Sequence, residues 1–565
     1  MTFPINGLSQ VKGDTELELW SLTVPQVLKR AVELYSDRPA AVFVEQGIRW
    51  SWAELNAHVD SLAMGLNELG LKRGDRVGIW SPNRLEWVVT QFATARLGLI
   101  LVTINPAYQE AEVEYALKKV SCKALVTAVN FKASNYVATL QRIAPELDDC
   151  EPGKLVSKRL PSLKTVIQLG ETPVPGMFSY SSVANSYKVD QEKLDQVTSS
   201  LEPSDVINIQ FTSGTTGAPK GASLTHKGIV NNSRFIIGAQ KLTESDRLCI
   251  PVPLYHCFGM VAGTLGCCSS GTTMIFPGEA FLPDITLETL ATESCTAVYG
   301  VPTMFVAMLQ HENLSEFDLS RLRTGIMAGA PCPIEVMKKC VSEMNLSELT
   351  IAYGMTETSP ISFQTSTNDS LERRVNTVGR VQPQVECKII DPLGNVVPVG
   401  EQGELCTRGY SVMKGYWGDP ERTAEAIDTD GWMHTGDLAV IDNEGFCNIT
   451  GRAKDVIIRG GENIYPKEIE DFLYRHPAIQ EVQVFGVPDS KFGEEVCAWI
   501  ILKPENDLDE DGVKSYCKGK IAHYKIPHYI RFCTEMPATA TGKLQKFKMR
   551  QVMTEELGIE ANKTA

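Results

Sequence analysis

The chain alternates two hydrophobic periods over most of its length. Val27, Leu28, Ala31, Val32 and Tyr35 recur at three- and four-residue spacing and predict one face of a helix, and residues 40–44 then read as a short strand. Ser51 stands where it caps a helix expected over 53–69, with Glu54 at the capping-box position. Residues 76–80 read as a strand, 85–97 as a helix and 99–103 as another strand. This repeated order predicts an α/β class fold, a layered domain with mainly parallel strands. Farther on, 206–211, 248–253 and 272–276 read as strands, and 297–309 is apolar. Residues 148–200 carry more Pro, Ser and charge and read as a surface excursion. Between 375 and 448 the texture changes to short strands separated by Gly, Pro and Asp, such as 387–391 and 403–408, which predicts a β-rich subdomain. After Gly451 a smaller α+β unit is expected, with a helix near 466–474 and strands at 482–487 and 496–502.

Length changes this picture by requiring more than one core. A chain of 565 residues exceeds what a single core usually serves. The expected division is a large N-terminal domain, 1–451, and a small mobile C-terminal domain, 452–565. The net charge of −15 argues against a general nucleic-acid binder, so an anionic ligand must be held locally by loops and a few cations. Fifteen scattered cysteines without a C-x-x-C pair indicate neither a zinc site nor a disulfide scaffold, and they fit a reducing compartment. No run reaches the length of a membrane span. The first twenty residues lack a signal core and an Arg-rich amphipathic pattern, and the last four are not a peroxisomal signal. These features favour the cytoplasm, with the mitochondrial matrix as the alternative.

Chemistry enters at one short stretch: Thr212, Ser213, Gly214, Thr215, Thr216, Gly217, Ala218, Pro219, Lys220, Gly221. Glycines let backbone N–H groups turn toward an anion, hydroxyls add donors, and the lysine adds a compact positive charge. The stretch follows an apolar strand and reads as a phosphate loop. It departs from the nucleoside-triphosphatase pattern, because Lys220 follows Pro219 and precedes Gly221 rather than Ser or Thr.

Five further blocks follow: Pro253-Leu254-Tyr255-His256-Cys257-Phe258-Gly259; Tyr353-Gly354-Met355-Thr356-Glu357; Gly431-Trp432-Met433-His434-Thr435-Gly436-Asp437; Gly451-Arg452-Ala453-Lys454-Asp455; and Thr541-Gly542-Lys543. Together the six, in this order, resemble the adenylate-forming superfamily of acyl-CoA synthetases, luciferases and peptide-synthetase adenylation domains. The resemblance extends over nearly the whole chain from about Val24. It implies a reaction in two halves. A carboxylate attacks the α-phosphate of ATP to give an acyl-adenylate and pyrophosphate, and the thiol of coenzyme A then displaces AMP. An anion must approach a polyanion, so Mg²⁺, backbone N–H groups and lysines are needed to offset the repulsion.

The resemblance also implies a role for each block. The loop from Thr212 to Lys220 would grip the β- and γ-phosphates. Thr356 would hydrogen-bond the α-phosphate, and Glu357 would hold Mg²⁺ through hard carboxylate oxygens. Tyr353, with Gly354 beside it, would lie flat on adenine, opposite Gly329, Ala330 and Pro331. Asp437 and Arg452 would engage the ribose hydroxyls. Lys543 would bring a cation to the α-phosphate and the substrate carboxylate, which requires the small domain to close. Lys454 occupies the hinge about which that domain would rotate for the thiol step, after which Gly460 and Gly461 would face the pantetheine. His256 would gate the acyl site or orient the thiol.

The substrate class follows from what is absent. No Asp or Glu lies between Cys249 and Pro277, where an amino-acid-activating relative would place a partner for the substrate ammonium. The small apolar run 260–268, with Met304, Phe305, Val306 and Met308, reads as the wall of an acyl tunnel, at roughly 0.8 kcal/mol per buried CH₂. The expectation is a fatty-acid CoA ligase for medium to long chains. The alternatives are an aryl-acid CoA ligase and a non-catalytic adenylate-binding regulator; Lys543, Glu357 and the complete loop speak against the regulator. Peripheral membrane contact and self-association stay open. One departure from the family pattern stands at Gln382-Pro383-Gln384, where Gln384 replaces a glycine usual after the proline.

Overall fold

The computed structural model describes residues 3–212, 219–330, 332–459, 462–489, 491–538 and 544–558. Its described residues fall into two compact units. One comprises residues 12–386 and 407–433; the other comprises 387–406 and the chain from 434 onward, together with the N-terminal segment up to Val11.

In the first unit the alternating periods become two large sheets. The eight-stranded sheet runs in the order Phe178–Ser179, Thr165–Gln168, Ala124–Thr127, Arg76–Trp80, Ile100–Ile104, Val206–Thr212, Lys220–Thr225, Gly415–Tyr416. Its pairs are parallel up to Val206–Thr212 and antiparallel beyond. The nine-stranded sheet carries a parallel run, Glu348–Gly354, Thr324–Ala328, Ala297–Gly300, Arg247–Cys249, Thr273–Phe276 and Pro39–Phe43, with antiparallel strands at both edges. Parallel strands place the loops after their C-terminal ends on one edge, where ligands of open α/β sheets bind.

Helices between the sheets form the main core. Val24–Tyr35 contains the periodic positions Val27 to Tyr35, and Trp52–Glu68 matches the expected 53–69 to within a residue. Ser51 Oγ accepts the Glu54 N–H at 3.2 Å, while a Glu54 carboxylate oxygen accepts the Ser51 N–H at 2.7 Å. Leu85–Arg96 is buried at every position but Glu86, which explains why it shows no clean polar face.

Residues 148–200 are not a surface excursion. Thr165–Gln168 is an inner strand of the eight-stranded sheet, and Leu155, Leu160, Leu163 and Met177 fill a second apolar cluster. The helix Gln191–Ser199 is tied to the core by buried Arg96, which donates to Asp60 at 2.9 Å, Asp195 at 2.6 Å and Thr198 Oγ1 at 2.7 Å. Polar composition concealed this segment because its few apolar positions are spread over loops. The expected strand at 248–253 is also shorter, Arg247–Cys249, since prolines 251 and 253 cannot donate to a ladder.

Gln384 takes φ +60°, the left-handed conformation that glycine adopts freely. Its side-chain amide donates to Thr15 O at 2.9 Å and its backbone N–H to Asp14 O at 3.0 Å, which offsets the cost of roughly 1–2 kcal/mol. The turn survives the loss of its glycine.

In the second unit, one five-stranded sheet is ordered Gln10–Lys12, Val385–Ile390, Gly403–Gly409, Met433–Ile441, Cys447–Arg452. A second is built on the long antiparallel pair Ile479–Asp489 and Gly493–Leu502, with the helices Pro466–Leu473 and Glu510–Cys517 contributing Ile469, Leu473 and Val513 to its core. All fifteen cysteines are free thiols. Among the described residues no helix is long and apolar enough to cross a membrane.

Candidate functional site

The first unit assembles part of the site from strand ends. Thr212 and Lys220 are register partners on adjacent antiparallel strands, so the phosphate-loop stretch spans a hairpin connection rather than a strand-to-helix turn. Ser213, Gly214, Thr215, Thr216 and Gly217 lie outside the described residues. The hairpin's return is anchored by the Tyr115 hydroxyl, which donates to Pro219 O at 3.0 Å.

Glu357 lies on the 3-10 turn Thr356–Thr358 just past the strand Glu348–Gly354, with Thr356 half-buried beside it. Its carboxylate is almost fully buried, and Oε1 accepts the Tyr416 hydroxyl at 2.8 Å. The backbone is fixed as well, since Met413 N–H donates to Glu357 O at 2.8 Å and Asn232 clamps Ile361 on both sides, at 2.8 and 2.9 Å. The Lys220 ammonium stands 4.3 Å from the centre of the Tyr416 ring. One phenol therefore meets a carboxylate from one block and a lysine from another. Burial first, then the Glu357 charge and its hydrogen bond, push the Tyr416 phenol well above its ordinary range, so it remains a donor. Among the described residues Oε1 carries the only side-chain hydrogen bond of Glu357. A fixed carboxylate with its second oxygen uncommitted fits a hard cation such as Mg²⁺.

Tyr416 was not predicted. Its signal was its place four residues before the Asp419–Pro420 helix start, which periodicity does not mark as chemical. Gln210 was missed for a similar reason: inside an apolar strand, its Oε1 accepts the Cys257 thiol at 3.2 Å and its Nε2 approaches Met260 Sδ at 3.5 Å. Burial, with the Glu357 charge adding to it, raises the Cys257 thiol far above its ordinary range, which makes it a packing group rather than a nucleophile.

Tyr353 and Gly354 end the strand Glu348–Gly354, and Gly329 and Ala330 follow its parallel neighbour Thr324–Ala328. Both pairs lie on the C-terminal edge of the sheet. Gly354 has no room for a side chain, since a Cβ would sit 1.8 Å from Pro360 O. Pro331 is outside the described residues.

His256 follows the strand Arg247–Cys249 on the same edge and packs its ring against Tyr255, 4.3 Å between centroids. It leads into a π-helix, Phe258–Leu265, a form that concentrates at functional sites. Asn83 fixes the approach by donating to Val252 O at 3.0 Å and accepting Leu254 N–H at 2.8 Å. The apolar residues read as one tunnel wall divide between two clusters. Met260, Val261, Ala262, Leu265 and Met304 pack in the main core, whereas Phe305 and Met308 of the helix Pro302–Leu309 pack in another cluster with Leu287 and Met337. Phe305 and Met308 therefore belong to a separate core layer.

In the second unit Asp437 and Arg452 are direct register partners on adjacent antiparallel strands, and Arg452 Nε donates to Asp437 Oδ1 at 2.9 Å. The carboxylate is nearly buried and the guanidinium half-exposed. Lys454 is exposed on the short turn Ala453–Asp455. Gly460, Gly461 and Lys543 lie outside the described residues.

The AMP-binding enzyme family matches residues 28–417, and the AMP-binding enzyme C-terminal domain matches residues 468–543. The chain is 49% identical over 563 residues to the mitochondrial medium-chain acyl-CoA ligase ACSF2 of Danio rerio, covering 99% of this chain and 93% of that protein. Among solved structures it is similar to the anthranilate CoA ligase AuaEII in complex with anthranoyl-AMP, with TM-score 0.83, 27% identity, and 96% of this chain and 99% of the other covered. It is also similar to ATP-bound MatB from Rhodopseudomonas palustris, with TM-score 0.82, 29% identity, and 95% and 100% covered.

Proposed function

The chain belongs to the AMP-binding enzyme family, as an ATP-dependent acyl-CoA synthetase of the adenylate-forming superfamily, and from that premise we propose that it activates medium-chain fatty acids through the residues described above. The observation that carries the site assignment is the convergence on Tyr416, where Glu357 at 2.8 Å and Lys220 at 4.3 Å are held by one side chain.

Lys220 and the loop before it bind the β- and γ-phosphates, and Thr356 donates to the α-phosphate. Glu357 holds Mg²⁺, which when bound neutralises phosphate charge during attack. Tyr353 and the backbone after Gly329 sandwich the adenine. Asp437 accepts from the ribose hydroxyls, with Arg452 fixing its second side. Lys543 approaches the α-phosphate during adenylation, and Lys454 is the pivot about which residues 452–565 reorient for attack by coenzyme A, with Gly460 and Gly461 lining the thiol's path. The proposed pivot at 451/452 separates the parts that move, whereas the two compact units of the fold divide the chain at other positions.

Medium chain length is supported by the named activity of the Danio rerio relative and by a pocket region without acidic side chains. Met260 and Met304 supply adaptable apolar surface there. A reducing compartment suits fifteen cysteines without a disulfide, and we favour the cytoplasm, with the mitochondrial matrix as the alternative, since that relative is named as mitochondrial.

The test is carboxylate-dependent ATP–pyrophosphate exchange without coenzyme A, over straight-chain, aryl and amino acids, with Lys543→Ala alongside. Exchange that peaks with medium alkyl acids and collapses in the variant is the expected result. A peak with benzoate-like acids, or exchange that is unchanged in the variant, overturns the substrate or the lysine assignment respectively.

A further inference from the structure

Outside the groups used above, three different metal-ligating side chains converge in the second unit. Glu404 and Cys406, two residues apart on the strand Gly403–Gly409, share a face of their sheet, and His434 comes from the neighbouring strand Met433–Ile441. One ligand atom from each lies within 4.8 Å of the other two. His434 Nδ1 is 3.1 Å from Glu404 Oε2 and 3.6 Å from Cys406 Sγ.

These separations are those of a metal's coordination shell. A tetrahedral ion bonded at about 2.0–2.1 Å to nitrogen and oxygen and about 2.3 Å to sulfur holds N and O donors roughly 3.3 Å apart and N and S donors roughly 3.5 Å apart. The observed 3.1 and 3.6 Å differ from those values by one or two tenths, and the remaining Glu404–Cys406 pair lies within 4.8 Å. Glu404 is also oriented from behind. Its other oxygen, Oε1, accepts the Gly436 N–H at 3.1 Å, the outer hydrogen bond that fixes a ligating carboxylate and leaves Oε2 facing the site. Access is one-sided: Cys406 is fully buried, while His434 and Glu404 keep 32% and 29% of their side chains exposed.

We propose that Glu404, Cys406 and His434 form a Zn²⁺ site with water as the fourth ligand. The donor set selects the ion. A thiolate and an imidazole favour Zn²⁺ over the hard cations Mg²⁺ and Ca²⁺, and the two anionic ligands balance its charge. Binding releases the Cys406 thiol proton to solvent, while the neutral imidazole coordinates through Nδ1 and carries its proton on Nε2, so affinity rises with pH. The site also adjoins the nucleotide machinery. Thr435 Oγ1 donates to Leu405 O at 2.7 Å and accepts the Asp437 N–H at 3.1 Å, so an ion at His434 stiffens the segment that carries Asp437. This last consequence alone rests on the ribose role proposed for Asp437.

The test uses the full chain, stripped with EDTA and titrated with Co²⁺ as the spectroscopic substitute. The expected result is a near-ultraviolet thiolate-to-cobalt band with tetrahedral visible bands, displaced by one equivalent of Zn²⁺. The band is lost in Cys406→Ser, and binding is at least tenfold weaker in Glu404→Gln, which keeps an acceptor for Gly436. A band of wild-type intensity in Cys406→Ser would overturn the site, as would its absence from the wild type. Should Cys406→Ser fail to fold, X-ray absorption of the wild type at one equivalent of Zn²⁺ decides instead: one sulfur with nitrogen and oxygen neighbours supports the site, and zero or several sulfurs overturns it. None of these readouts depends on adenylation, so loss of pyrophosphate exchange with an intact cobalt spectrum counts against the proposed reaction alone.

Discussion

The Tyr416 hydroxyl donates to Glu357 Oε1 across 2.8 Å, between two side chains that are each about 95% buried. The same ring faces the Lys220 ammonium, an attraction worth roughly 0.5–2 kcal/mol. Tyr416→Phe removes only the hydroxyl and keeps the ring. A hydrogen bond to a charged group contributes about 1.5–3 kcal/mol, so pyrophosphate exchange should fall about 10- to 100-fold, with a higher Mg²⁺ concentration needed for half-maximal rate. The thermal midpoint should change little. An unaltered Mg²⁺ dependence would show that Tyr416 does not position the Glu357 carboxylate for the cation.

A second prediction concerns Asp437. Because Arg452 is half-exposed, the pair adds at most about 1 kcal/mol to stability, and Asp437→Asn should fold normally. Its effect should appear in nucleotide recognition. The wild type should use ATP far better than 2′,3′-dideoxy-ATP, and the variant should lose most of that preference through a raised KM for ATP. Equal discrimination by both proteins would remove Asp437 from the ribose.

Pairings among the candidate residues could be anticipated where both partners stood in local blocks, and could not where a partner outside the blocks was brought in by strand pairing. Asp437 and Arg452 were grouped from their blocks, and the ladder places them directly opposite each other. Tyr416 and Gln210 were missed because an aromatic on a short strand and an amide in an apolar run look like packing until their partners are known. The same distinction holds for the fold. Val24–Tyr35, Trp52–Glu68 and Arg76–Trp80 are set by local period and capping; the last two were bounded to within a residue, and the periodic positions Val27 to Tyr35 fall inside the first. The strand Thr165–Gln168 is short and gains its identity from pairing with Ala124–Thr127 and Phe178–Ser179, relations invisible to any local window. The 260–308 wall was misread in part because periodicity marks residues as buried without saying in which layer.

Gly259 offers a test of the π-helix that follows His256. A Cβ there would lie 2.4 Å from Pro253 O, a backbone atom that cannot swing aside. Gly259→Ala should therefore destabilise the chain by about 1–3 kcal/mol, read as a lowered thermal midpoint, by forcing the Pro253 turn and the helix apart. Gly238→Ala is the control, since nothing lies within 4 Å of its Cβ position and the residue sits inside the helix His226–Ala239. It should be neutral or slightly stabilising. Equal destabilisation by both would mean that crowding at Gly259 is not the cause.

The last prediction is a pH dependence of stability seated at His226. The ring is fully buried, its Nδ1 accepts the Val24 N–H at 3.1 Å, and its Nε2 has no hydrogen-bond partner. Burial depresses the imidazole to about 3, against the opposing pull of the Asp205 charge. The sign follows from proton counting. Between that value and the unfolded value near 6.5, the unfolded chain binds the proton and the folded chain does not, so stability falls as pH drops below about 6.5. At pH 5.5 the loss from this group amounts to about 1.4 kcal/mol relative to neutral pH. His226→Asn keeps an acceptor for Val24 and cannot titrate. Urea midpoints at pH 7.5 and 5.5 should separate further for the wild type than for the variant, by an amount equivalent to that loss. If acidification costs both proteins the same, His226 is either protonated within the fold or already shielded in the unfolded chain, and the buried neutral imidazole is not what sets the acid sensitivity.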